Sequence, residues 1–98
     1  MIIRHGDILL KKIEKLPEGL KKLNHHILAE GEVTGHRHEL TAGVLYAMDT
    51  EPKFVRIDVP ATITHQEHKP LEVATGIYEV IREREFDYCS EEIARVAD

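Results

Sequence analysis

The chain has one cysteine, Cys89. A lone thiol forms no internal disulfide, so the fold does not rest on one. No nucleophile signature surrounds Cys89, which leaves a half-buried structural thiol as its reading. Tryptophan is absent. Basic charge is in deficit: 13 Lys and Arg against 18 Asp and Glu give a net charge of −5. A general affinity for nucleic acid needs a basic face to displace counterions, so nucleic acid is not an expected partner. The lysines that do cluster, Lys11, Lys12, Lys15, Lys21 and Lys22, suit a solvated strand edge and turn. No apolar run approaches membrane-spanning length. The first residues show no long apolar stretch followed by a small-residue cleavage site, so the expected location is the cytoplasm. A phosphate-binding glycine loop, a Ser/His/Asp order and a Cys-x-x-Cys pair are also missing.

What remains is a chain of 98 residues, 42% apolar and 32% charged. That length makes one domain with a thin core. The apolar content is too high for a disordered chain. Isoleucine, valine, threonine and tyrosine are common, and they favour strands.

Residues 2–13 read as a first strand, with Gly6-Asp7 a bend within it. Leu16-Pro17-Glu18-Gly19 fits a type I turn, with proline second and glycine fourth. Residues 20–23 suit a short helical turn or an irregular connection. Further strands are expected at 26–30, after the glycines at 31 and 35, at 43–48, at 53–59, at 61–64 and at 71–74. Residues 77–88 form the longest, with strict alternation. Residues 90–98 read as a short helix: Ser90 is a good N-cap, and Glu91 and Glu92 complement the helix dipole. Many short strands with frequent turns predict a mostly β fold, a small single-domain β-barrel or jelly-roll-like sandwich closed by that C-terminal helix.

Histidine is the abundant exception. There are seven, and four fall in two tight pairs, His36/His38 and His65/His68. Residues two apart on a strand face the same way, with Cα atoms about 6.6 Å apart. Two imidazoles so placed can converge on one ion at roughly 2.1 Å each. His65 and His68, three apart, can face together in a turn, and Pro60 and Pro70 bracket that segment. Glu39 and Glu67 are the nearest carboxylates, able to complete or brace a site. The donor set suits Zn, Fe, Ni, Cu or Mn rather than magnesium or calcium, which prefer oxygen. His36, His38 and His65 are the first choices as ligands, with His68 next. For His5, His25 and His26, exposed loop positions or pH-sensitive hydrogen-bond donors are the stronger reading.

Short strands, a glycine before His36-Arg37-His38 and a later histidine on another strand resemble the cupins. These are jelly-roll barrels holding a metal with two histidines of a His-x-His, a glutamate and a further histidine. The resemblance implies that His36 and His38 are two ligands and His65 the later histidine. It spans about the middle third of the chain. Ala42 and Gly43 stand where the cupin glutamate would be, and only Pro60 stands for the second motif's glycine-proline-glycine turn. The opening Gly6-Asp7-Ile8-Leu9-Leu10-Lys11-Lys12 also resembles the co-chaperonin barrel, which again implies a small barrel.

On residues 77–88, Tyr78, Val80, Arg82, Arg84, Phe86 and Tyr88 share one face. Arg82 and Arg84 among aromatics could grip a phosphate or carboxylate. Cross-strand ion pairs are the simpler account of the same residues. The functional expectation is a divalent transition metal used for hydrolytic or dioxygenase-type chemistry on a small or anionic substrate, with Glu67 or Glu39 as general base. The alternative is a non-enzymatic barrel that binds a ligand or a partner protein, with its histidines at the surface. A homo-oligomer is expected, because a barrel this small leaves edges and residues such as Val44, Tyr46 and Met48 for a second copy to cover.

Overall fold

The chain turns back on itself at its sixth residue. A computed structural model describes residues 2–30, 35–82 and 93–97. The expected first strand is in fact a hairpin: β1 (Ile2–His5) and β2 (Ile8–Ile13) pair antiparallel with His5 opposite Ile8. The two-residue connection is Gly6-Asp7, and Gly6 has φ 61° while Asp7 lies outside the positive-φ region. A glycine at the first central position with positive φ is the requirement of a type II′ turn, which matches the twist of the flanking strands. The glycine therefore reverses the chain where a bend was expected.

Nine more strands follow among the described residues. They are β3 (Lys21–Lys22), β4 (Ile27–Glu30), β5 (Arg37–Leu40), β6 (Val44–Ala47), β7 (Pro52–Ile57), β8 (Ala61–Thr64), β9 (Leu71–Val73), β10 (Gly76–Arg82) and β11 (Ile93–Ala97). The irregular connection expected at 20–23 thus contains a two-residue edge strand. The turn after β2 lies one residue later than expected, centred on Glu18 and Gly19, and φ 81° at Gly19 in the third position fits type II in place of type I. The strand expected over 77–88 is described as far as Arg82.

The strands form two sheets, one ordered β11-β1-β2-β10-β7-β6-β3 and the other β4-β5-β8-β9. Each keeps two edges, so the architecture is an open sandwich and not a closed barrel. Pairing is antiparallel except at β1, which pairs parallel with β11. This replaces the C-terminal helix expected over 90–98. So short a helix has little stability of its own, whereas the outer edge of β1 offers unpaired backbone groups for a strand to satisfy. Ser90, the expected cap, lies outside the described residues. No helix of the described residues is long and apolar enough to cross a membrane.

The core lies between the sheets. Ile3, Ile8, Leu10, Leu45, Val55, Ile57, Tyr78 and Val80 come from the larger sheet, and Leu28, Leu40, Ala61, Ile63, Leu71 and Val73 from the smaller. Alternation produces this: on β10, Tyr78 and Val80 are buried while Ile77, Glu79 and Ile81 are partly exposed. Tyr78 buries its ring completely and keeps its hydroxyl satisfied by donating to the Ala74 carbonyl at 2.8 Å.

Because Ile63 is fully buried against the opposite sheet, Ile63→Ala should lower unfolding free energy by about 2–5 kcal/mol in urea titration. Val59→Ala, at a residue 58% exposed, should change it by no more than about 0.5 kcal/mol. Equal effects at the two sites would contradict the sandwich packing.

Candidate metal centre

At one end of the sandwich the inward-facing rows of four strands change from aliphatic to polar. On β1 the row runs Ile3, His5; on β5, Leu40, His38; on β8, Ala61, Ile63, with His65 one residue past the strand's end; on β10, Tyr78, Val80, Arg82. The two-residue period that builds the core therefore delivers these side chains to one place. His68 joins them from the loop after β8. That loop is tied to β5 by Gln66, whose Oε1 accepts the Arg37 backbone N–H at 2.8 Å.

His38, His65 and His68 form the centre. One ring nitrogen from each lies within 4.8 Å of the other two. Their ring centroids are 4.5 Å apart for His38–His65 and for His65–His68, and 5.7 Å for His38–His68, whose rings are stacked. His38 is buried, and the other two are half-exposed. Gly6 provides the room: a Cβ there would lie 2.9 Å from His38 Cε1 and 2.9 Å from His68 Nε2. Its absent side chain thus serves the centre as well as the turn.

Behind the trio runs a chain of polar contacts, buried at His5 and His38 and open to solvent at Asp7. His5, 1% exposed, places Nε2 2.7 Å from the Lys69 carbonyl and Nδ1 2.9 Å from His38 Nδ1. His38 Nε2 then lies 3.2 Å from Asp7 Oδ1, and the other Asp7 oxygen lies 3.4 Å from Arg82 Nη1. Burial holds His38 well below the usual histidine range, at about 4, with the neighbouring His65 and His5 adding to the depression and Asp7 opposing it. His5 and His65 are pushed down as well, first by desolvation and then by other histidines, with the Lys69 carbonyl and nearby carboxylates opposing. Imidazoles kept neutral near pH 7 are in the protonation state that metal binding needs.

His65 is held in place by its own loop, since its Nδ1 accepts the Glu67 backbone N–H at 3.0 Å. Its Nε2 therefore carries the proton when the ring is neutral. To donate a lone pair into the cluster, the ring must give up that exposed hydrogen bond or turn over, at a cost of about 1 kcal/mol.

Of the residues expected from the sequence, His38, His65 and His68 are brought together, and His36 stands to one side. Its ring is 5.6 Å from that of His65, and its Nδ1 is 3.8 Å from Glu67 Oε2. Glu67 is an exposed carboxylate on the rim. Glu39 faces away from the centre: it alternates with His38 on β5 and pairs at 3.3 Å with Arg37 on the outer face. Strand periodicity thus removes it from the expected general-base position. Arg82 meets Asp7 and also lines a cleft of about 400 Å³ over Leu28, Ala29 and Val80. Arg84 lies outside the described residues. His25 and His26 lie apart from the cluster, and His25 Nδ1 accepts the Ile27 N–H at 3.1 Å.

Two participants lie outside the residues expected at the site: Asp7, and His5, whose burial is at odds with an exposed loop position. The available signal was the spacing of Ile3 and His5: two residues apart on one strand, they share a face, so a core residue at one position makes the other inward-facing.

No curated protein and no solved structure matches the chain. A family model, described as a domain of unknown function (DUF8820), matches residues 4–83. The match runs from the second half of β1 to the end of β10 and covers every histidine of the cluster, and the chain belongs to that family.

Proposed function

We propose that this chain binds one divalent transition-metal ion at His38, His65 and His68. The observation that carries the reading is the approach of three imidazole nitrogens, from β5 and the loop after β8, to within 4.8 Å of one another. Two ligands about 2.1 Å from one ion are roughly 3.0–3.4 Å apart, so the trio contracts around an ion by rotamer adjustment, mainly of the half-exposed His65 and His68. Nitrogen donors favour Zn, Fe, Ni, Cu or Mn. Such an ion would supply Lewis acidity or a redox centre to a small substrate. Glu67, on the rim beside His36, is the carboxylate positioned to exchange a proton there. A purely structural metal is the second reading, favoured by the burial of His38 between the sheets.

Elemental analysis of the untagged protein after loading with Zn²⁺ should find about one ion per chain. His38→Ala and His68→Ala should reduce it to background, and His36→Ala should leave it near the wild-type level. Equal metal content in all four proteins would refute the assignment.

Acid should destabilise the metal-free protein. The folded-state pKa of His38 is lowered to about 4 from 6.5, so the unfolded chain takes up its proton first as pH falls. Stability is complete above about pH 6.5 and declines as pH drops towards 4. Between pH 7.5 and 5, largely above the carboxylate range, His38 alone should remove about 2 kcal/mol. Urea midpoints across that window measure it, and His38→Gln should flatten the slope. An unchanged slope in that variant would rule out His38 as its source.

A further inference from the structure

The contacts behind the trio form a line with an acceptor at each end: the Lys69 carbonyl, His5, His38 and the Asp7 carboxylate. Each of its three contacts needs one positive centre between two electron pairs. The Lys69 carbonyl can only accept, so His5 Nε2 donates to it. The two facing Nδ1 atoms share one hydrogen. The third contact, His38 Nε2 to Asp7 Oδ1, needs another. Two neutral imidazoles carry one N–H each, two in all for three contacts. The line is therefore one positive centre short. With His5 Nε2 donating, neutral His5 accepts at Nδ1, His38 donates from Nδ1, and the lone pair of His38 Nε2 is left facing a carboxylate oxygen.

We infer that the missing centre is the metal ion itself, held between His38 Nε2 and Asp7 Oδ1, so that Asp7 is a fourth ligand and His5 a positioning residue that fixes the tautomer of His38. This rests on the metal-binding reading above and extends it from three nitrogen donors to three nitrogens and one oxygen. The spacing agrees. Two ligands at about 2.1 Å from one ion are about 3.0 Å apart at a right angle and about 3.4 Å apart at the tetrahedral angle. His38 Nε2 and Asp7 Oδ1 are 3.2 Å apart, between those values. Arg82 Nη1, 3.4 Å from Asp7 Oδ2, holds the carboxylate with one oxygen turned towards the trio. An imidazole fixed through its second nitrogen by a buried acceptor is the usual support of a metal-bound histidine.

The test uses Co²⁺ alone as the probe, read by its visible absorption and by titration calorimetry, together with ¹⁵N NMR of the histidine rings in the metal-free protein. At pH 7.5, NMR should find His38 as the Nδ1–H tautomer and His5 as the Nε2–H tautomer. Asp7→Asn should weaken Co²⁺ binding at least tenfold and change the absorption bands, because an anionic carboxylate oxygen is replaced by a neutral, weaker amide donor. His5→Leu should weaken binding by about 10–100-fold. His5→Gln, whose amide can donate to the Lys69 carbonyl and accept from His38, should recover most of that loss. A merely structural role for His5 would not give such recovery or set the tautomer. If wild type binds Co²⁺ and Asp7→Asn binds it equally with the same spectrum, Asp7 is not a ligand. If His38 is the Nε2–H tautomer, the role given to His5 is wrong. If wild type binds no Co²⁺, the metal-binding reading fails and this inference with it.

Discussion

The hydrogen bond between His5 and His38 joins the two sheets where their aliphatic core ends. Its 2.9 Å contact spans from β1 of the larger sheet to β5 of the smaller. Through its other nitrogen His5 holds the Lys69 carbonyl, and with it the loop that carries His65 and His68. Three segments distant in sequence are therefore fixed by one buried imidazole. The type II′ turn at Gly6-Asp7 follows from the same constraint. It must reverse the chain directly after His5, leave space for two imidazole rings, and direct the Asp7 carboxylate back towards His38. Only a glycine at the sixth position meets the first two demands, since its φ is positive and a Cβ would collide with His38 and His68.

Burying polar rings at the end of an apolar core is costly unless each nitrogen is satisfied. An aliphatic pair at positions 5 and 38 would extend the core at lower cost, as buried polar networks generally contribute less stability than well-packed apolar side chains. The arrangement is therefore better explained by what it organises than by stability. Desolvation holds His38 neutral, and a neutral imidazole whose Nδ1 is engaged presents Nε2 as an electron-pair donor. Fold and centre share a single device: the core side of the His5–His38 bond is structural, and its outer side determines which atom of His38 is available.

Much of this was legible in the sequence, because period-two alternation is a strong signal. It separated Tyr78 and Val80 from Glu79 and His38 from its neighbours Arg37 and Glu39, while His36, just before β5, stands outside the trio. The same rule, applied to Glu39, would have placed that carboxylate on the outer face; proximity in sequence outweighed parity. Closure and chain reversal were harder to read. Gly6-Asp7 resembles a bend until the partner strand is known, and residues 93–97 carry helix signals that local sequence cannot weigh against a free strand edge. His36 and His68 show the limit of pairwise spacing. Spacing establishes that two residues can converge, whereas the loop between Thr64 and Leu71 determines which one does, and its shape depends on Gln66 and Lys69 contacting strands far away in sequence.

The centre divides into a fixed half and an adjustable half. His38 and Asp7 are held by strand pairing, by the turn and by contacts to His5 and Arg82, at a separation that already fits two ligands of one ion. His65 and His68 sit on an exposed loop, and His65 spends a hydrogen bond on its own backbone. The strand-held pair sets where an ion rests, while two half-exposed rings can turn to close at tetrahedral or wider angles and accommodate more than one coordination number. Selection among transition metals would then fall to the loop, through the cost of releasing the Glu67 N–H and drawing in two half-exposed rings. Binding that draws β5 and this loop, both of the smaller sheet, onto Asp7 in the β1–β2 turn of the larger also ties the two sheets together at their polar end, so the free energy of metal binding adds to that of folding.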